Sequence, residues 1–245
     1  MSSVFLTAEW RHLLMLNFPI EPEALQAHVP KGTELDAWEG TTYVSLVGFL
    51  FLDTKVKGWA VPFNRNFDEI NLRFYVRSRG PEGWRRGVVF VREVVSKQAI
   101  AFFARMLYNE NYRVYPTRSS VTDPSDDTAG SAEYGWQLDG QWLSIGAEFS
   151  GEPCLPGKNS QEEFITEHYW GYSAQRDGGT VEYQVEHPQW KVWEAIAPKM
   201  SGDIVGFYGP EFASALQSPP SSAFVADGSP VIVRNGNRME DRATP

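Results

Sequence analysis

The sequence is poor in cysteine and lacks long apolar runs. Cys154 is the single cysteine among 245 residues, so neither a disulfide within the chain nor a CxxC metal site can form. No apolar run is long enough to cross a bilayer. The N-terminus lacks the basic region and apolar core of a secretory signal. These absences predict a cytoplasmic protein with no membrane partner.

Motifs of several enzyme classes are also missing. The chain has no GxSxG nucleophile motif, no GxGxxG fingerprint and no Walker sequence, which disfavours α/β-hydrolases, dinucleotide enzymes and ATPases. The histidines form neither an HxH nor an HExxH pattern. His168 and His187 are the one couple that could share a site, and hydrogen-bonding roles are favoured over metal binding. We therefore expect no metal and no cofactor.

Positive charge is scarce, whereas aromatic residues are plentiful. The chain has 22 Lys and Arg against 31 Asp and Glu, a formal net charge of −9. Such a protein repels the phosphates of nucleic acids, so no nucleic-acid partner is expected. Nine Trp, 15 Phe and 10 Tyr can fill a sizeable core. Nothing marks an oligomer interface, and a homo-oligomer stays an open alternative.

The clearest strand signal is the alternation from Glu69 to Arg77. Apolar and polar residues alternate there, which places them on opposite faces of a strand. The polar face is either part of a site or the wet outside of the sheet. Further strands are predicted at 10–18, 42–52, 88–95 and 190–196, hairpins at 133–149, 167–187 and 224–234, and loops at 78–87 and 117–130.

This pattern predicts a mainly β (α+β) fold. Closing a sheet removes its exposed edges, so we expect a closed barrel or a strongly curved sheet with a few short helices. We expect a single domain over 1–234 and a disordered tail over 235–245. Gly48 interrupts the strand at 42–52 and indicates a bulge or bend.

The stretch from Ala99 to Pro116 begins as an apolar helix that Ser96 can cap, and it ends in an aromatic, polar turn. Arg105 is the exception on this helix. Either a carboxylate pairs with Arg105, or the guanidinium reaches water while the stem packs. The two alternatives are equally favoured.

Seven stretches spread over nearly the whole chain carry a family resemblance. They are TAEWRHLLMLNF (7–18), YVSLVGFLFLDTKV (43–56), FDEINLRFYVR (67–77), ARMLYNENY (104–112), EEFITEHYWGY (162–172), VEYQVEHPQWKVW (181–193) and YGPEF (208–212). Through them the chain resembles the YqjF-like proteins, a family of unassigned function grouped with the acetoacetate decarboxylase-like fold. The resemblance implies a cone-shaped β-barrel with an internal pocket.

A weaker similarity to acetoacetate decarboxylase itself implies roles for particular residues. In that register Arg11 falls on the arginine that serves the substrate carboxylate, and Glu69 falls on an active-site glutamate. The segment from Arg105 through Tyr112 and Arg113 falls on the stretch that carries the paired lysines. Tyr112 stands at the Schiff-base position. Because a phenol cannot form an imine, decarboxylase activity is not expected.

The leading hypothesis is a barrel that binds a small organic acid, the expected small-molecule partner. Arg11 would clamp the carboxylate, with Arg105 and Arg113 as further substrate-binding residues. Glu69 would act as acid or base and Tyr112 as a neutral donor, in a lyase or hydratase that forms no Schiff base.

Two alternatives remain open. One is a non-catalytic ligand-binding or interaction barrel, in which Glu69 belongs to a structural ion pair inside the barrel. The other is a Schiff-base enzyme that uses Lys97 or Lys191, the two spare amines considered.

Overall fold

The structure is a computed structural model that describes residues 2–60, 64–96 and 111–239. The helix predicted after Ser96, together with Lys97 and Arg105, lies outside the described residues. Within those described ranges, no helix has the length and apolar character needed to cross a membrane.

Strands dominate the described residues, and most of their pairings are antiparallel. In chain order the strands are β1 (Val4–Pro19), β2 (Glu34–Leu35), β3 (Tyr43–Val56), β4 (Trp59–Ala60), β5 (Phe67–Gly80), β6 (Gly83–Val95), β7 (Tyr112–Val114), β8 (Thr117–Thr122), β9 (Gly130–Leu138), β10 (Gln141–Phe149), β11 (Trp170–Ala174), β12 (Thr180–Glu186), β13 (Val192–Glu194), β14 (Ile196–Ser201), β15 (Ser222–Arg234) and β16 (Asn237–Arg238).

The helices are short. They are α1 (Pro22–Leu25), α2 (Gln161–Thr166), α3 (Ile204–Tyr208) and α4 (Ala213–Leu216), with 3₁₀ turns at Gln26–His28 and Pro210–Phe212. Side-chain caps define two of the starts: Ser160 accepts a bond from the Glu163 N–H, and Asp203 accepts one from Gly206.

The strands form a large sheet and a smaller four-stranded sheet. In the large sheet the pairings run β15-β1-β3-β5-β6-β11-β12, and β12 also pairs with β15, so the path of hydrogen-bonded neighbours returns to its start. The small sheet has the order β14-β10-β9-β8. The mainly β fold predicted from the sequence is therefore confirmed.

Strand β5 separates two interior regions. Ile70, Leu72 and Phe74 are fully buried in the first core, which joins the large sheet to the small sheet and to α3 and α4. The opposite face carries Tyr75, which belongs to the second core with residues of β1, β3 and α2. Both faces of the middle of β5 are thus covered, and its polar residues Glu69, Asn71 and Arg73 lie inside the molecule.

The irregularity predicted at Gly48 lies on the neighbouring strand instead. Between Arg11 and Leu14 strand β1 gains one residue relative to β3, and His12 has a φ of 53°. The pairing of β3 with β5 is continuous through Gly48. A Cβ at Gly48 would lie 2.6 Å from the Tyr134 ring. This glycine therefore permits the close approach of the small sheet.

Several predicted loops are strands. The loop predicted at 78–87 shrinks to the two residues between β5 and β6, where Arg77 and Arg79 stack on Trp84 at 4.5 and 4.1 Å. The loop predicted at 117–130 begins with β8, which pairs with β9. The turn predicted before Arg113 lies mostly outside the described residues; from Tyr112 onwards the chain forms strand β7, which pairs parallel with β6.

The predictions near the C-terminus also need correction. The hairpin predicted at 224–234 is one continuous strand, β15, in which Gly228 has a φ of 87°. Of the strand predicted at 190–196, only Val192–Glu194 forms β13. The predicted tail includes β16, which pairs with β12. The single domain over 1–234 stays a prediction.

We predict that Gly48→Ala destabilises the protein by about 1–3 kcal/mol, because the added methyl group overpacks the junction with Tyr134. Urea unfolding of both variants measures the change in the free energy of unfolding. Gly157→Ala is the matched control, since a Cβ there would meet only Ser160 at 3.9 Å. Equal stability of the two variants would contradict this explanation of Gly48.

Candidate functional site

A cavity lies against the polar face of β5. Its volume is about 60 Å³, which is room for several waters. Its polar lining includes residues of β5, β6, β7 and the segment before β11, namely Glu69, Asn71, Arg73, Glu93, Tyr112 and His168, and also Thr166, Tyr183 and His187.

Glu69, Asn71 and Arg73 follow one another on one face of β5 because side chains alternate along a strand. Their exposed fractions are 2%, 1% and 8%. Asn71 Nδ2 donates to Glu69 Oε1 at 2.9 Å. Burial raises the pKa of Glu69 to about 7, against the lowering effects of Asn71 and Arg73. Glu69 can therefore exchange a proton near neutral pH.

Arg73 is a buried cation whose partners in the described structure are weak. Its Nη2 donates to Met15 Sδ at 3.6 Å, its guanidinium lies 5.7 Å from the centre of the Tyr75 ring, and its Nε makes no hydrogen bond. A thioether is a poor acceptor. The guanidinium therefore keeps bonding capacity for an anion.

Tyr112 and Glu93 extend this polar wall across two further strands. Glu93 on β6 lies opposite Asn71 on β5 and opposite Tyr112 on β7. The Tyr112 hydroxyl donates to Glu93 Oε1 at 2.5 Å. This short bond between a phenol and a carboxylate holds the hydroxyl at the cavity wall.

Burial keeps two cavity histidines neutral. It lowers the pKa of His168 to about 4, although Asp36 favours the charged form, and it also lowers the pKa of His187. His168 Nε2 lies 3.6 Å from Asp36 Oδ2, and Arg86 Nε donates to the same oxygen at 2.7 Å. His187 stacks on Trp190 with ring centres 4.1 Å apart. Both imidazoles are available as neutral hydrogen-bonding groups.

Aromatic rings form another part of the cavity lining. Trp10 packs edge-on against Phe49 and Phe51, with ring centres 5.4 and 5.5 Å apart, and lies 6.2 Å from Trp190. The cavity thus combines an apolar wall with a few converging polar groups, as ligand pockets do.

The structure brings only part of the predicted site together. Glu69 and Tyr112 both line the cavity. Arg11 does not line it: the guanidinium is bound to Glu9 at 2.8 Å and lies 3.5 Å from Asp227. Arg113, next to Tyr112, is exposed to solvent. The expected juxtaposition of Arg11 with Glu69 is therefore wrong.

The structure describes one of the two lysines considered for a Schiff base, Lys191, but not Lys97. Lys191 is exposed, and no lysine is found among the described residues that line the cavity. Lys97 and the predicted substrate-binding Arg105 lie outside the described residues.

Sequence reasoning overlooked Arg73, Asn71 and Glu93 as site residues. The signal for Asn71 and Arg73 was the polar alternation that starts at Glu69. This alternation places Glu69, Asn71 and Arg73 on one face of β5. Glu93 carries no comparable local signal, because it reaches the site through strand pairing.

Comparison with known families identifies the chain. The model of the DUF2071 family, whose description is "Uncharacterized conserved protein", matches residues 7–230. The chain belongs to this family. It is also similar to the uncharacterized protein YqjF of Bacillus subtilis (strain 168), with 25% identity over 203 residues that span 82% of this chain and 80% of that protein.

Solved structures with the acetoacetate decarboxylase-like fold superpose on nearly the whole chain. The enduracididine biosynthesis enzyme MppR, complexed with pyruvate, gives a TM-score of 0.69 at 11% identity, covering 98% of this chain and 92% of that chain. Acetoacetate decarboxylase from Legionella pneumophila gives 0.66 at 11% identity, covering 96% and 87%. At this identity the likeness establishes the fold alone.

We predict that Glu69→Gln removes a pH dependence of stability. Because the folded-state pKa of Glu69 lies above its ordinary value of 4.5, at about 7, its ionisation destabilises the folded protein as pH rises through this window. Relative to wild type, the variant should gain roughly 1–3 kcal/mol between pH 5 and pH 8.5. Urea unfolding at the two pH values measures this gain.

Glu23→Gln, on the exposed surface of α1, is the control for replacing a carboxylate. His168 and His187 make the free energy of unfolding rise with pH on the acid side, which is opposite to the effect of Glu69. Both histidines are present in wild type and in each variant, so their contribution cancels when the variants are compared with wild type. Parallel pH profiles for wild type and Glu69→Gln would contradict a buried, readily protonated Glu69.

Proposed function

We propose that the protein binds a small organic acid in this cavity, with the ligand carboxylate on Arg73. The observation that carries this proposal is a guanidinium with 8% exposure whose hydrogen bond in the described structure goes to a thioether. Burying a charge without a strong partner is costly. A carboxylate that replaced the Met15 contact would make charge-assisted hydrogen bonds with Arg73.

Glu69 is the proposed acid or base for a bound acid. It lies two residues from Arg73 on the same face of β5, and its pKa near 7 suits proton transfer at neutral pH. Tyr112 is the proposed neutral donor to a developing enolate oxygen; its single hydroxyl proton, which bonds Glu93 Oε1, would turn from that carboxylate to the enolate. These groups would serve a lyase or hydratase that works without a Schiff base.

We also propose that the large sheet closes into a barrel around the cavity. The pairing of β12 with both β11 and β15 supports this shape, because closure leaves no free edge along the ring. Lining residues come from strands all around this path, among them Trp10 of β1, Phe49 of β3 and Val233 of β15.

The choice of test ligands follows from the structural neighbours. One solved structure of MppR contains pyruvate, and another neighbour is an acetoacetate decarboxylase. Pyruvate and acetoacetate are therefore suitable first probes for a carboxylate site on this fold, together with lactate and phenylpyruvate, which test a hydroxyl and a larger apolar group.

We predict that Arg73→Met removes about half or more of the stabilisation by these acids. Ligand at 100 times its Kd stabilises the folded state by about 2.7 kcal/mol, which raises Tm by several degrees in a protein of this size. Losing the charge-assisted bonds should weaken binding at least about 10-fold. Differential scanning fluorimetry and calorimetric titration of the folded variant measure both effects.

Arg11→Gln is the matched control, because Arg11 is bound to Glu9 outside the cavity lining. The Tm increase should persist in this variant. If Arg11→Gln lost the response and Arg73→Met kept it, the carboxylate would bind at the position that the family resemblance implied. If no acid stabilised the wild type, the alternative of a non-catalytic barrel with structural charges would replace our proposal.

We predict further that borohydride reduction in the presence of pyruvate or acetoacetate leaves the mass of the intact protein unchanged. An imine needs a primary amine, and the described cavity lining offers the phenol of Tyr112 but no lysine. Intact-mass spectrometry detects the adduct directly. An adduct mapped to Lys97 or Lys191 would restore the Schiff-base alternative.

A further inference from the structure

Two enclosed polar atoms of neighbouring β5 residues have no hydrogen-bond partner in the described structure. They are Asn71 Oδ1 and Arg73 Nε, and both residues line the cavity. Asn71 is 1% exposed and Arg73 is 8% exposed. Because an unsatisfied buried polar group is destabilising, this pair indicates a ligand with two complementary groups.

The orientation of the Asn71 amide is fixed by Glu69. Asn71 Nδ2 donates to Glu69 Oε1 at 2.9 Å, and a glutamate side chain offers an acceptor oxygen in both its ionised and its neutral form. The amide oxygen is the atom that remains for a ligand. It requires a donor, whereas Arg73 requires an acceptor.

The Asn71 amide oxygen, which needs a donor, and the Arg73 guanidinium, which needs an acceptor, belong to residues that lie close together. Residues two apart on a strand share a face at a spacing of roughly 7 Å. One small molecule can therefore reach both Asn71 and Arg73 if its donor lies one or two carbons from its carboxylate.

We propose that the ligand is a short hydroxycarboxylic acid whose carboxylate pairs with Arg73 and whose hydroxyl donates to Asn71 Oδ1. This inference rests on the carboxylate function proposed above and narrows its ligand class. A keto acid brings a second acceptor to Asn71, so the amide oxygen and the keto oxygen would repel each other. A hydrocarbon acid leaves the amide oxygen unsatisfied.

A hydroxyl also fits this site better than an ammonium group. An ammonium carries three donors and a charge that must be compensated when buried. Glu69, the carboxyl group on the same face of β5, is shifted towards its neutral form by burial and so compensates a second charge less. The cationic Arg73 lies on the same face and opposes a second positive charge.

The test compares acids of equal length and charge on the full wild-type chain by calorimetric titration. Lactate, pyruvate, propionate and alanine form the three-carbon set, and 3-hydroxybutyrate, acetoacetate and butyrate form the four-carbon set. We expect at least one hydroxy acid to bind about 10-fold more tightly than its keto and unsubstituted counterparts. We expect alanine to bind more weakly than lactate.

Asn71→Leu is the variant that isolates the amide, because leucine has a similar size and no polar atom. In it, the advantage of the hydroxy acid should fall to less than about twofold, while binding of propionate is retained. Asn237→Leu, exposed on β16, should keep the full advantage. If Asn71→Leu does not fold, the comparison of ligands on the wild type still decides the question.

The outcomes separate this inference from the proposed function. Equal affinities for the hydroxy, keto and unsubstituted acids, or tighter binding of pyruvate or alanine, would overturn the hydroxy acid and leave the carboxylate site intact. Absence of binding by every acid would overturn the carboxylate site itself.

Discussion

The structure depends on one constraint, the period-two alternation of a strand that is covered on both faces. The apolar face of β5 packs in the first core, so its polar face must also lie inside. Water cannot satisfy these buried groups freely, and they pair with one another instead: Asn71 with Glu69, and Tyr112 with Glu93. Among the described residues, the hydrogen bond of Arg73 goes to a thioether, and this imbalance turns a packing constraint into a candidate site.

Burial shifts the pKa values of three titratable groups in this cavity so that their neutral forms are favoured. It favours the neutral carboxyl of Glu69 and the neutral imidazoles of His168 and His187. A guanidinium cannot respond in the same way, because it stays protonated in proteins. The cavity therefore keeps a fixed positive group beside groups that exchange protons or donate neutral hydrogen bonds. Such a combination orients an anion and leaves acid–base chemistry available.

Local patterns predicted the central strands, whereas Glu69 and Tyr112 were expected at the site through the family resemblance. The alternation at 69–77 is explicit in the sequence, and it correctly groups Glu69 with Asn71 and Arg73. It could not show that this face is buried, because the covering strands β11 and β12 come from a distant part of the chain. Glu93 and Asp36 enter the site region through pairing and side-chain contacts with residues far away in sequence, which no local pattern encodes.

The misplacement of Arg11 has a definite physical cause. Strict alternation from Trp10 places Arg11 and Leu13 on one face, but the extra residue at His12 breaks the period, so Trp10 and Leu13 both line the cavity. Arg11 instead pairs with Leu50, which packs against the first core.

Strand β15, which pairs with β1, is also irregular where it passes Arg11. Gly228 lies opposite Arg11 with a φ of 87°, and its Asp-Gly sequence resembles a turn although it lies within β15. The Arg11 guanidinium lies 3.5 Å from both Asp227 Oδ1 and the Gly228 carbonyl oxygen, so it bridges the two irregular segments. These contacts hold Arg11 outside the cavity lining, whereas Arg73 lines the cavity.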